Sequence, residues 1–309
     1  MAAITKVSPL APAQFPALPV VEGVTFATAA AGVKYEGRTD VMLALMTPGT
    51  AVAGVFTRSA TRAAPVLDCQ AKIGGAQDAG AAILVNSGNA NAFTGRNGVA
   101  SVKAITAAVY EASGVPPGRV FTSSTGVIGE PLPHERITAV VSALSGQASP
   151  DGIAAAAKAI MTTDTFPKGA AAEVEIDGKT VRIAGIAKGS GMIAPDMATM
   201  LVYVFTDAVV AQSALQSIVS NLNARTFNCI TVDSDTSTSD TLIVAATGAS
   251  GVDATNSDAF ENALHGLMLD LAHQVVRDGE GATKFVEIAV TGAATDADAP
   301  VRWDLERGE

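Results

Sequence analysis

The chain has 309 residues, of which 48% are hydrophobic and only 5% aromatic. That is enough Ala, Val, Ile and Leu for one large domain or two of ordinary size, and it excludes a disordered chain. Thirty acidic residues against 20 basic give a net charge of −10, and no Lys/Arg cluster interleaves with aromatics, so nucleic acid is not an expected partner.

Residues 1–20 carry one lysine and four prolines, Pro9, Pro12, Pro16 and Pro19. They read as an extended lead-in without the continuous apolar stretch of a secretory signal, which makes the cytoplasm the default location. No run of about 18 apolar residues occurs, so no membrane partner is expected. Cys69 and Cys229 are too few for a disulfide framework. His134, His265 and His273 stand apart from both, which leaves no metal-ligand spacing.

In chain order, apolar runs at 41–46 and 51–56 flank Pro48-Gly49 and predict a hairpin. Residues 81–85 predict a buried strand, and the polar stretch 86–91 a loop after it. Val102, Ile105, Ala108 and Val109 share one face of a helix over 99–112. Val120-Phe121 is a short strand running into Thr122-Ser-Ser-Thr-Gly126. Helices follow at 133–144 and 151–161, then a hydroxyl-rich loop at 162–168. A hairpin over 172–187 turns at Asp177-Gly178. Strands are expected at 200–205, 242–246 and 285–290, with helices at 211–224 and 257–277. The mixture predicts layered α and β structure.

Several chemistries can be set aside. The histidines fall in predicted helices, away from any Gly-x-Ser-x-Gly elbow, so no Ser-His-Asp triad is expected. Lys188-Gly-Ser-Gly191 lacks the full spacing of a P-loop. Asp233–Asp240 fails as a calcium loop, with Thr238 at position six and Val244 at position twelve, and reads as a hydrogen-bonded polar loop. Cys229, beside Ile230, reads as a small buried hydrophobe.

The most unusual stretch is Lys188–Leu201, where a glycine loop carrying a lysine leads through Pro195 to Ala198-Thr199 at the head of an apolar strand. A threonine there could attack the preceding carbonyl, shift the peptide to an ester on its Oγ, and be freed by water. The new α-amine, with an ordinary pKa of about 7.7–8.0, could then take the proton from its own Oγ. On spacing alone, a turn before a strand is the simpler reading.

Several separated motifs carry more weight together. They are Ala53-Gly-Val-Phe-Thr57, Asn86-Ser-Gly-Asn-Ala-Asn91, Ser124-Thr-Gly126 with Ile128-Gly-Glu130, Met161-Thr-Thr-Asp-Thr165, Lys188–Met192 with Met197–Leu201, and Glu280-Gly-Ala-Thr-Lys284. In this order, from about Gly23 to about Gly292, the chain resembles the ornithine acetyltransferase (glutamate N-acetyltransferase) family of arginine biosynthesis. The resemblance implies an α+β fold of layered α-β-β-α type and a precursor that cleaves itself between Ala198 and Thr199. Residues 1–198 would form the α chain and 199–309 the β chain, assembling as an α2β2 heterotetramer.

By the same resemblance Thr199 is the nucleophile, and Thr125 and Gly126 are the oxyanion donors. Thr165, Lys188 and Glu280, with Thr199, bind the amino-acid substrate. Acetyl passes from N2-acetylornithine to Thr199 and then to glutamate. No cofactor is implied, although some family members accept acetyl-CoA as a co-substrate.

Two departures stand out. Ser239 occupies a position where Asn is expected. After Gly292 the chain leaves the pattern, so 293–309, which holds Trp303, reads as an atypical tail and the C-terminal part of the family fold is expected to be missing. A related N-terminal-nucleophile amidohydrolase or aminopeptidase and a truncated, non-catalytic relative are the competing expectations.

Overall fold

Alternation along the strands assigns each sheet face to its layer. In the computed structural model, which describes residues 6–194 and 200–295, a four-stranded sheet has the order β1-β2-β4-β5. Its strands are β1 (Val24–Ala29), β2 (Val41–Met46), β4 (Ala81–Asn89) and β5 (Val120–Val127). A five-stranded sheet has the order β3-β9-β8-β7-β6. It comprises β3 (Ala51–Phe56), β6 (Lys168–Ile176), β7 (Lys179–Lys188), β8 (Leu201–Thr206) and β9 (Thr241–Ala246).

The two sheets pack face to face. Met42, Ile83 and Phe121 from the first share one core with Ile186, Leu201, Tyr203, Phe205 and Ile243 from the second. Phe26 meets Phe205 edge-on, with ring centroids 5.0 Å apart. Residues one step along each strand point outward and are covered by helices. Leu43 and Leu84 pack under α2 (Gly95–Ser113) and α3 (His134–Gln147), through Ile105, Val109, Ile137 and Val141. Val202, Val204 and Val244 pack under α5 (Gln212–Ala224) and α6 (Asp258–Arg277), through Leu215, Val219, Leu264 and Leu271. The expected α-β-β-α layering is therefore observed.

Local chemistry explains the element ends. Ser257 caps α6 by accepting the Phe260 N–H, acids lie in its first turn and Arg277 in its last. Asp177 and Gly178 both have positive φ, as a tight two-residue hairpin turn requires, and they join β6 and β7 with Ile176 opposite Lys179.

The expected hairpin at 41–56 does not form. Its two runs are strands, but β2 pairs with β1 and β4, whereas β3 pairs with β9 in the other sheet. Pro48-Gly49 is a crossing between layers, because the partners for each edge come from distant chain. β1 itself and α1 (Ala64–Lys72) carried no clear pattern in sequence, whereas the helix expected at 151–161 is α4 (Ile153–Ala159). The stretch 86–91 is only partly a loop, since β4 continues to Asn89 alongside β5 with a bulge at Gly88/Asn89. Residues 285–290 form no strand: Val286 and Ile288 are exposed, and Phe285 packs its ring against His273 and Arg277 of α6.

Phe205→Ala should remove the centre of the inter-sheet core and destabilise the protein by about 3–5 kcal/mol. Urea unfolding checks this, and a loss below 1 kcal/mol would mean that the two sheets are not held together there.

Candidate active site

The two sheets bring their strand ends together at one edge of the sandwich. Thr125, at the end of β5, is 2% exposed. Gly126 follows at φ +131°, and a Cβ there would lie 2.3 Å from the Gly88 carbonyl carbon, so only glycine permits this approach of β4 to β5. Lys188, the last residue of β7, is also 2% exposed. It donates to Thr125 Oγ1 at 3.3 Å, bridging the sheets. Burial holds its ammonium below the ordinary lysine range, and Asp164 opposes that shift.

Behind this bridge lies a buried ion cluster. Lys168 Nζ donates to Asp164 Oδ1 at 2.7 Å and to Asp278 Oδ2 at 2.6 Å, with no side-chain exposure in any of the three. Asp164 also accepts the Gly189 N–H at 2.6 Å and the Thr162 N–H at 2.9 Å. Burial alone would raise its carboxyl, but Lys168, Lys188 and the Thr162 N–H hold it well below the usual carboxylate range. Asp278 accepts both the N–H and the hydroxyl of Thr165. Burial raises the Asp278 carboxyl above its ordinary value, with Lys168 and Thr165 opposing.

The glycine loop completes the cluster. Ser190 Oγ bonds Thr163 Oγ1 at 2.7 Å, and the Ser190 carbonyl accepts the Glu280 N–H at 2.8 Å. The Glu280 side chain lies against Gly191 and is exposed. Bonded links thus gather Thr125, Thr165, Lys188 and Glu280 at one place, beside Gly126. Thr199 and Ala198 lie outside the described residues.

The polar loop 233–240 holds the chain on either side of them. Asp233 accepts the N–H groups of Met192 and Ile193 at 2.6 and 2.8 Å. Asp240 accepts that of Met200 at 2.8 Å. Burial pushes the Asp240 carboxyl well above its ordinary value, against the pull of the Met200 N–H, Lys188 and Ser237, and among the described residues its Oδ2 has no partner within hydrogen-bond distance.

Cys229 is exposed rather than buried, because it is the last residue of the short helical turn after α5, whose buried side is taken by Phe227; Cys69 is buried and its thiol is pushed up to about 12 by burial. A cleft of about 740 Å³ between α1 and the start of α2, lined by Arg62, Leu67, Phe93, Arg96 and Lys103, contains none of the clustered residues. The Lys168 cluster was missed in sequence. Asp164 and Lys168 stood visible in the 162–168 loop, but nothing there pairs them with Asp278, 110 positions away from Lys168.

Two packed sheets, a helical layer on each outer face and a polar cluster at the strand ends define an α-β-β-α sandwich with a site built on its edge. The chain belongs to the ArgJ family, whose sequence pattern matches residues 25–302, so the family pattern continues past Gly292, where it was expected to end. It is similar to the arginine biosynthesis bifunctional protein ArgJ of Ruegeria pomeroyi, 71% identical over 301 residues that cover 97% of this chain and 74% of that protein. It thus spans about three quarters of that relative's length.

Among solved structures, the arginine biosynthesis bifunctional protein ArgJ of Bacillus halodurans is 34% identical with a TM-score of 0.51, covering 58% of this chain and 92% of that one. An L-aminopeptidase D-Ala-esterase/amidase from Ochrobactrum anthropi matches at a TM-score of 0.50 and 14% identity, covering 87% of this chain and 88% of that one. That likeness shows the fold alone.

The shifted carboxyls predict a stability maximum in mild acid. Asp240 has a folded-state pKa above its unfolded value, so it opposes folding at high pH and relents as pH falls toward about 4. Asp164 has the opposite shift: its contribution is complete above about pH 4 and is lost as pH falls further. Urea unfolding of the wild type and Asp240→Asn from pH 8 to pH 3 checks both signs. The wild type should gain on the variant between pH 8 and 4, and both should weaken below that.

Proposed function

We propose that this chain is a self-processing acetyltransferase of arginine biosynthesis, which moves acetyl from N2-acetylornithine to glutamate through an ester on Thr199. Family membership and the 71% identical relative support the activity. The observation that carries the site assignment is the contact between Lys188 and Thr125. A lysine ammonium only donates, so Thr125 Oγ1 accepts from Lys188 and keeps its own proton free for another oxygen. That is the polarity an oxyanion donor requires, and the Gly126 N–H is the second donor.

In processing, Thr199 Oγ attacks the Ala198 carbonyl, the peptide C–N bond breaks and an ester forms. Water cleaves the ester, freeing the carboxylate of residue 198 and the amine of Thr199. In transfer, that amine takes the Oγ proton as Oγ attacks the acetyl carbonyl. The amide C–N bond breaks and ornithine leaves with the proton. The glutamate amine then attacks the acetyl ester, N-acetylglutamate departs, and the proton it sheds returns to Oγ. The anchoring of Met192–Ile193 by Asp233 and of Met200 by Asp240 supports this assignment, since it holds both flanks of the scissile bond. Lys188 and Glu280 supply opposite charges for a zwitterionic substrate, and Thr165 is bonded to Asp278, two residues before Glu280.

The division into an α chain of residues 1–198 and a β chain of 199–309 fits the sheet order. β8 and β9 lie inside the five-stranded sheet, between β7 and β3, so cleavage leaves the two pieces bonded strand to strand. An α2β2 assembly is part of the same reading.

Two measurements test it. A denaturing gel should show fragments of 198 and 111 residues that co-purify, and Thr199→Ala should leave one intact band. An uncut wild-type chain with a folded circular dichroism spectrum would refute self-processing. Thr125→Ala should slow ornithine release by roughly 10²–10³-fold with the fold retained, the usual loss for one oxyanion donor. Near-normal turnover would remove Thr125 from that role.

A further inference from the structure

Asp278 takes no part in the steps above, yet its carboxylate is buried and its bonds set the direction of the Thr165 hydroxyl. Lys168 Nζ donates to Asp278 Oδ2 at 2.6 Å, and the Thr165 N–H donates to the same oxygen at 2.9 Å. The other oxygen, Oδ1, accepts the proton of Thr165 Oγ1. An ionised carboxylate has nothing to donate in return. Thr165 Oγ1 also accepts the Ser8 N–H at 2.9 Å. A hydroxyl has one proton and two lone pairs. Among the described residues the proton and one lone pair are committed, and one lone pair remains.

We infer that Asp278, held by Lys168, is a positioning residue that fixes the Thr165 hydroxyl as a hydrogen-bond acceptor. This part of the site then reads an N–H of the amino-acid substrate and rejects its carboxylate. The inference rests on the reading that Thr165 touches substrate. A carboxylate brought to Thr165 Oγ1 would set lone pair against lone pair, whereas an ammonium or amide N–H completes the hydroxyl. The anion is left to Lys188, a pure donor. Lys168 is the residue that keeps Asp278 ionised: with no exposed surface and no cation beside it, a buried carboxyl takes up a proton instead. A protonated Asp278 could donate to Thr165 and reverse the hydroxyl.

Asp278→Asn tests this with little change of shape. The amide oxygen will face Lys168 and the Thr165 N–H, which turns the amide NH2 toward Thr165 Oγ1. Both lone pairs of the hydroxyl are then occupied and its proton is turned outward. The chain should still cleave itself, kcat should stay within about threefold, and KM for N2-acetylornithine should rise about tenfold, as when one bond to the bound substrate is lost. Lys168→Arg, which keeps a cation against both carboxylates, should hold KM near the wild-type value. Thr165→Val should raise KM as Asp278→Asn does.

The outcomes separate the two readings. If Thr165→Val raises KM and Asp278→Asn does not, the inference falls while the site assignment stands. If Thr165→Val leaves KM unchanged, Thr165 does not touch substrate and both fall. If Asp278→Asn lowers kcat at unchanged KM, its role is not in recognition and the inference is overturned.

A second measurement needs no change at Asp278, should that variant fail to fold. Ornithine is compared as a competitive inhibitor with 2-aminopentanoate and with 5-aminopentanoate, which each lack one of its ammonium groups. In the wild type, the loss of the ammonium facing Thr165 should weaken inhibition about tenfold beyond the loss measured in Thr165→Val. If both deletions are as damaging in Thr165→Val as in the wild type, Thr165 reads neither group and the inference is overturned.

Discussion

Lys168 sits with no exposed side-chain surface between Asp164 and Asp278, and the polar edge of the sandwich is organised around it. Through Asp164 it ties the Thr162 and Gly189 amides, and hence the start of the glycine loop. Through Asp278 it ties Thr165 and the end of α6, two residues before Glu280. Three segments far apart in sequence are thus held by one ammonium. Removing one member of such a buried set leaves an uncompensated charge, at a cost of about 3–5 kcal/mol. Replacing the whole set by apolar side chains would spare the stability and lose the orientation of every group hung from it.

The second constraint is the close packing of the two sheets. Phe26, Tyr203 and Phe205 lie between them, and the strands end together at the edge where Thr125 and Lys188 meet. The hydroxyl comes from one sheet and the lysine from the other, so their 3.3 Å contact depends on the register of both. Gly88 and Gly126 let β4 and β5 approach closely enough to place Thr125 there. Acyl transfer by preorganised donors needs this kind of fixed geometry, because a donor that must be reorganised at the moment of reaction loses much of its effect.

Polar loops that carry no catalytic group do positional work of the same kind. Residues 233–240 resemble a cation loop only in composition. Two of their carboxylates, Asp233 and Asp240, accept the amides of Met192, Ile193 and Met200, on both sides of the Ala198-Thr199 bond. Asn86, Asn89 and Asn91 likewise spend their side chains on backbone groups or a neighbouring hydroxyl, where β4 leaves its ladder. The small-hydroxyl and amide richness that marks this chain in sequence is therefore largely the hydrogen-bonding of irregular backbone beside a buried site.

The sequence by itself determined most helices and strands, because the apolar period is local: 3.6 for α2, α5 and α6, and short aliphatic runs for β2, β3, β8 and β9. It also determined the family, since six motifs in order are a linear signal. Which strands share a sheet was not local. Pro48-Gly49 reads equally well as a hairpin turn or as a crossing, and only the competing partners β4 and β9 decide it. The same holds for the pattern at 285–290, which is a strand's in period but has Phe285 on α6 instead of a ladder partner. The tertiary structure alone decided that Lys168 pairs with Asp278, that Lys188 faces Thr125, and that Cys229 is exposed. Each depends on desolvation and on contacts between residues tens to more than a hundred positions apart, and a one-dimensional pattern contains neither.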